Sequence, residues 1–309
     1  MSRKTAKPRC TLLVRPRLRR AQPLERKDKR LTYRTITTIL TDPELDAASL
    51  QAAIDLARRE QAHLEVLCLG LDRTQPGFYY AGANAMVVQD NLTQAREDSV
   101  RLESLAREQL EGADFNWSAT AISAQMVALG GLVAHRTRFS DLVVLPRPYG
   151  PGRTHECEAI TEAAMFDGDV PVLIQPDGTD WPRDISTVLV GWNESNEALR
   201  AIRAALPFLK QADTVNIAIV DPPQHGPERS DPGGALSQML SRHGVRAEVS
   251  VLSKTLPRVC DVLLRHSGDI GADLVVMGAY GHSRFRESIL GGATRNMLEL
   301  ADVPVLLAH

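Results

Sequence analysis

The residues with the clearest capacity for chemistry are glycines. Met277-Gly278 is followed by Ala279-Tyr280-Gly281, nine residues intervene, and Gly291-Gly292-Ala293-Thr294 comes next. Glycine lets backbone approach a ligand without interference from a Cβ. Amides at the start of a helix attract an anion. A phosphate chain is the ligand that suits such a stretch. The amides of Gly291 to Thr294 would meet its oxygens, and the Thr294 hydroxyl would stand beside them. His282, Ser283 and Arg284, in the loop between, could add charge or hydrogen bonds. The packing alternatives are a tight turn at Gly278 and Gly281 and a helix cap at Thr294.

Other chemistries fail on inspection. The chain has no G-x-x-x-x-G-K-[ST] loop and no G-x-G-x-x-G after a strand. Gly281-His282-Ser283-Arg284-Phe285 lacks the last glycine of a nucleophile elbow. Cys10, Cys68, Cys157 and Cys260 lie far apart and the histidines show no metal spacing, so no metal ligand is assigned and a reducing, cytoplasmic setting is expected. No general base stands out near Thr294, so no catalytic residue is assigned. Slow ATP hydrolysis stays open, since bound metal and water could suffice.

The elements that would position these glycines alternate along the chain. Short apolar runs such as Ile36–Leu40, which is β-branched, His63–Leu69 and Asp141–Leu145 read as strands separated by helices. The order then starts again, with strands at Thr187–Val190, Val215–Val220, Ala247–Leu252, Leu274–Met277 and Val303–Leu307. Asp141-Leu142-Val143-Val144 matches Asp273-Leu274-Val275-Val276, and Asp169–Ile174 matches Asp302–Leu307 with one residue of slippage. A period of roughly 130–150 residues is that of a repeated domain, not a solenoid. The expected fold class is α/β: two tandem Rossmann-like domains of the adenine nucleotide α-hydrolase kind, each a five-stranded parallel sheet with helices on both faces. The expected organisation is a basic, disordered tail over 1–33, a first domain over 34–177 and a second over 184–309. Pro176 to Pro182 punctuates the join. In such sheets ligands sit beyond the carboxyl ends of strands, so the residues after Val190 and Met277 matter most.

The stretch from Val276 through Gly278-x-x-Gly281 to Gly291 resembles the ATP-binding signature of universal stress proteins, and the strand–helix order extends the resemblance from about Tyr33 to His309. The resemblance implies that Met277, Gly278 and Gly281 line the adenosine and phosphate path, and that Gly291, Ala293 and Thr294 cradle phosphates. It also implies that Gly191-Trp192-Asn193 lies near the nucleotide and that the Val220 backbone meets the adenine edge. Two positions depart from the pattern. Gly292 stands where ATP-binding members carry Ser or Thr, and Asn193 where they carry Asp. Each keeps hydrogen bonding, through backbone or amide, and loses a hydroxyl or a charge.

The first half reads differently. Its counterpart loop is Leu145-Pro146-Arg147-Pro148-Tyr149-Gly150-Pro151-Gly152, with Pro146 at the first glycine position. Proline offers no N–H, so loss of the phosphate site is expected there. An ungapped alignment sets Glu44 opposite Asn193, with Asp42 competing for the place. The resemblance thus implies a tandem universal stress protein that binds ATP or a related nucleotide, with or without magnesium, in its second domain and acts as a stress-response regulator or sensor. An ATP-hydrolysing enzyme and a ligand-free interaction module are the alternatives.

The 43% hydrophobic and 24% charged fractions are those of an ordinary globular chain, and no apolar run is long enough to cross a bilayer. No membrane partner is therefore expected. The two halves are expected to pair as an intramolecular pseudo-dimer through their last strands, with a homodimer and an unidentified protein partner left open. The basic tail, rich in arginine around Arg15 to Arg20, lacks interleaved aromatics, so nucleic acid is not the favoured partner.

Overall fold

The computed structural model describes residues 33–72, 85–222, 231–279 and 292–309. The tail expected over 1–33 lies outside these residues except for Tyr33. The first half runs β1 (Thr35–Leu40), α1 (Ala47–Glu60), β2 (His63–Asp72), α2 (Ala85–Leu110), β3 (Trp117–Gln125), α3 (Leu129–Thr137), β4 (Leu142–Pro146), α4 (His155–Glu162) and β5 (Val172–Gln175). The second runs β6 (Thr187–Gly191), α5 (Asn196–Ala204), α6 (Leu206–Leu209), β7 (Thr214–Val220), α7 (Gly234–Arg242), β8 (Ala247–Leu252), α8 (Val259–Ile270), β9 (Leu274–Gly278), α9 (Gly292–Leu300) and β10 (Val305–Ala308).

All ten strands join one sheet in the order β3-β2-β1-β4-β5-β10-β9-β6-β7-β8. Every pairing is parallel except the central one, where Leu306 of β10 faces Leu173 of β5 in antiparallel register. The last strand of each half thereby covers an edge that would otherwise offer unpaired amides. Central strands are apolar on both faces because helices cover both: every residue of Leu142–Pro146 and Leu274–Met277 is buried. One apolar core, with α1, α2, α5, α6 and α7, fills one face of the sheet. The other, with α3, α4, α8 and α9, fills the opposite face. Among the described residues no helix is long and apolar enough to cross a membrane.

The matching aspartates play the same part in each half. Asp141 Oδ2 accepts from the amides of Arg34 and Thr35 at 2.7 and 3.0 Å. Asp273 Oδ2 accepts from those of Ser186 and Thr187 at 2.8 and 2.9 Å. Each pins the start of the first strand of its half to the fourth, the two strands between which strand order reverses. The halves also meet through side chains. Tyr33 donates to the Ala204 carbonyl at 2.8 Å, and the Arg59 guanidinium lies 5.2 Å from the Phe208 ring centroid.

Candidate functional site

The order β10-β9-β6-β7-β8 makes the gap beyond β6 and β9 the switch point of the second half, where open α/β sheets receive ligands. Gly191 ends β6 in register with Met277 of β9. A Cβ at Gly191 would stand 3.4 Å from that of Met277 and 3.5 Å from Leu263 Cδ1. These are ordinary contact distances, so a small side chain would fit there without moving the strand ends. Trp192 continues the ladder, its amide donating to the Ala218 carbonyl at 2.9 Å. Its indole N–H is buried without an acceptor among the described residues, at the mouth of the sheet. Val220 is half-buried at the end of β7, in register with Leu252.

Asn193 is exposed, and its Oδ1 accepts from the Ser195 amide at 3.2 Å. This turn, with Glu194 at φ 62°, carries the chain from β6 into α5. Ser195 then caps the helix by accepting from the Ala198 amide at 3.1 Å. The Asn193 side chain thus shapes the rim through its carbonyl.

Gly278 has a packing reason that sequence reading assigned to a ligand. A Cβ there would lie 2.4 Å from the Ala198 nitrogen and 2.7 Å from the Glu197 carbonyl carbon. Its missing side chain makes room for the first turn of α5. The Ala279 amide is engaged too, donating to the Ala308 carbonyl at 2.9 Å. At the start of α9, Gly292 and Ala293 are exposed, while Thr294 is buried on the face it shares with Met297 and Leu298. The helix therefore presents backbone amides at its start more than the Thr294 side chain. Among the described residues, a Cβ on Gly292 would meet nothing nearer than Asn296 Nδ2 at 3.8 Å. Gly281, His282, Ser283, Arg284 and Gly291 lie outside the described residues.

Residues 185–309 match the universal stress protein family. This half of the chain is a universal stress protein domain. A universal stress protein of Synechocystis is 33% identical over 73 residues, a match spanning 24% of each chain. The matched segment is thus about a quarter of that relative's length. A universal stress protein structure from Archaeoglobus fulgidus superposes with a TM-score of 0.69 at 15% identity, covering 89% of this chain and 95% of its own. A Pseudomonas aeruginosa structure assigned to the same family gives 0.56 at 16% identity, covering 89% and 93%. At these identities the likeness is one of fold, and it spans both halves.

The first half shows what the same strand ends look like when the chain itself fills them. Arg153, in the loop after β4, is 2% exposed and points back between β1 and its helix. Its guanidinium reaches Asp46 Oδ1 at 3.5 Å, donates to the Leu45 carbonyl at 2.9 Å, and pairs with Asp177. Asp46 is as deeply buried. Burial raises its pKa, opposed by the amides of Thr41 and Asp42 and by Arg153. What remains, between residues including Thr41, Asp46, Pro146 and Thr161, is a cavity of about 10 Å3, the room of a single water. The counterpart of the Asn193 turn is made by Asp42, whose Oδ1 accepts from Glu44 and Leu45 amides at 2.9 and 3.0 Å. Glu44 has no such part, which corrects the ungapped alignment. Sequence reading missed Arg153 and Asp46, which are 107 residues apart and share no local pattern.

Proposed function

We propose that the universal stress protein domain binds ATP or a related nucleotide beyond the carboxyl ends of β6, β7 and β9, and that the protein acts as a stress-response regulator or sensor. The observation that carries this reading is the contrast between the two switch points. In the first half a buried Arg153 pairs with Asp46, and Asp46 lines the small cavity left at that place. In the second, Gly191 leaves the strand ends without a side chain, Trp192 has a buried donor with no acceptor among the described residues, and Gly292 and Ala293 are exposed at the start of α9. Exposed amides at a helix start favour a phosphate chain. The Asn193 NH2 group and the Val220 backbone would address the nucleoside. Gly281, Gly291, His282, Ser283 and Arg284 complete the set that the resemblance implies, and magnesium would be carried on the phosphates. Mass spectrometry of small molecules released from freshly purified protein, followed by calorimetric titration with ATP, tests the reading. A co-purifying adenine nucleotide, or saturable ATP binding at one site per chain, is expected. Neither a released nucleotide nor heat on titration would leave the fold without this function. Steady phosphate release in proportion to protein would turn the reading towards an ATP-hydrolysing enzyme.

A further inference from the structure

The loop after β4 has lost the glycines of its counterpart, yet it is not idle. Counted on from the register of β1 with β4 and of β6 with β9, Arg147 stands where the second half has Ala279, and Tyr149 follows two residues later. Both residues reach across to α9. Arg147 donates through one Nη to the Glu299 carbonyl at 2.7 Å and through the other to the Ala301 carbonyl at 2.6 Å. Glu299 is in the last turn of the helix and Ala301 follows its last residue, where acceptors lack helical partners and a cation suits the dipole. One turn in from the other end, the Arg295 guanidinium lies over the Tyr149 ring, 4.6 Å from its centroid. Tyr149 is buried and its hydroxyl donates to Glu158 Oε1 at 3.2 Å, so the ring is fixed within the first half.

We propose that Arg147 and Tyr149 are positioning residues for the nucleotide site, holding from the first half the helix whose amino end meets the phosphates. The proposal rests on the nucleotide reading above. It gives the degenerate half a role, because its former ligand loop grips the ligand-bearing helix of the other half at both ends. A helix held this way presents Gly292 and Ala293 at a fixed height above the strand ends. Release of the grip lets the helix shift and spoils contacts to phosphate, while contacts to the nucleoside, made by β6 and β7, stay.

The test compares the full-length wild type with Arg147→Ala, Arg147→Lys and Arg295→Gln, each titrated with ATP, tripolyphosphate and adenosine. Arg147→Ala is expected to weaken ATP and tripolyphosphate about fivefold, the low end of couplings between linked sites, and to leave adenosine unchanged. Arg147→Lys, which keeps a cation and one donor, is expected to recover part of the loss. A purely structural role would lower all three ligands alike and would overturn the proposal, as would wild-type tripolyphosphate affinity in Arg147→Ala. Should that variant not fold, Arg295→Gln decides: a selective loss for the phosphate ligands supports the grip, and an unchanged affinity refutes it. A wild type that binds none of the three probes defeats the nucleotide reading itself, and this proposal with it.

Discussion

Arg153→Met should destabilise the protein at neutral pH and do so less in acid. The side chain is 2% exposed and serves Asp46, Asp177 and the Leu45 carbonyl together. Methionine fills much the same volume and leaves Asp46, also 2% exposed, as a buried carboxylate without a cation. Breaking a buried pair by removing one partner costs about 3–5 kcal/mol. The low end applies, because the Asp46 contact is long at 3.5 Å and the amides of Thr41 and Asp42 still hold its Oδ2. The pH dependence has a definite sign. Asp46 already titrates above its ordinary value of 3.8 through burial, and loss of Arg153 raises it further. Between the unfolded and folded values the native state binds more protons, so stability falls as pH rises through that window and recovers in acid. In the variant the window reaches higher. Urea unfolding of wild type and variant at pH 7 and near pH 4.5 should show a deficit of about 3 kcal/mol that shrinks at the lower pH. A deficit below about 1 kcal/mol at pH 7, the scale of an exposed pair, or one that grows in acid, would refute the account of a buried, charge-filled switch point.

Gly278→Ala puts a Cβ 2.4 Å from the Ala198 nitrogen, so α5 must move. A loss of about 1–3 kcal/mol is expected, read as a lowered urea midpoint with no ligand present; an unchanged midpoint would return Gly278 to a purely ligand-facing part. Gly292→Asp should separate stability from binding. An acid at the start of α9 suits the helix dipole and should leave unfolding unchanged or raise it by up to about 1 kcal/mol. The same charge should repel a triphosphate and lower ATP affinity by at least about tenfold in calorimetry. Equal ATP binding would remove the start of α9 from the site.

The sheet was largely legible because its strands are buried on both faces and read as short apolar runs. Leu142–Leu145 and Leu274–Met277, each behind an aspartate, announced the repeat, and the structure shows why an aspartate precedes each: it takes two amides of a neighbouring strand. Boundaries were less legible. The sequence from Gln125 to Arg136 reads as a helix, but β3 stays paired with β2 as far as Gln125 opposite Asp72, Met126–Ala128 make a 3-10 turn, and the α-helix begins at Leu129. Helix α7 went unread, although Leu236 and Leu240 stand four apart on its buried side. In the candidate site, glycine spacing pointed to the carboxyl ends of β6 and β9 but could not say what each missing side chain makes room for. At Gly278 it is the α5 backbone. Nor could it show that Arg147 and Tyr149 reach across to the other half, which the pairing of β5 with β10 brings alongside, or that Arg153 turns inward to Asp46, 107 residues away.

The central claim is that the nucleotide sits at the second switch point and not the first. Photolabelling of the full-length protein with an azido-adenine analogue of ATP, followed by peptide mapping, addresses it directly. Label confined to peptides that include Gly191 to Val220 or Met277 to His309, and competed by unlabelled ATP, is the predicted result. Competable label on Ile39 to Asp46 or on Leu145 to Thr161 would contradict it.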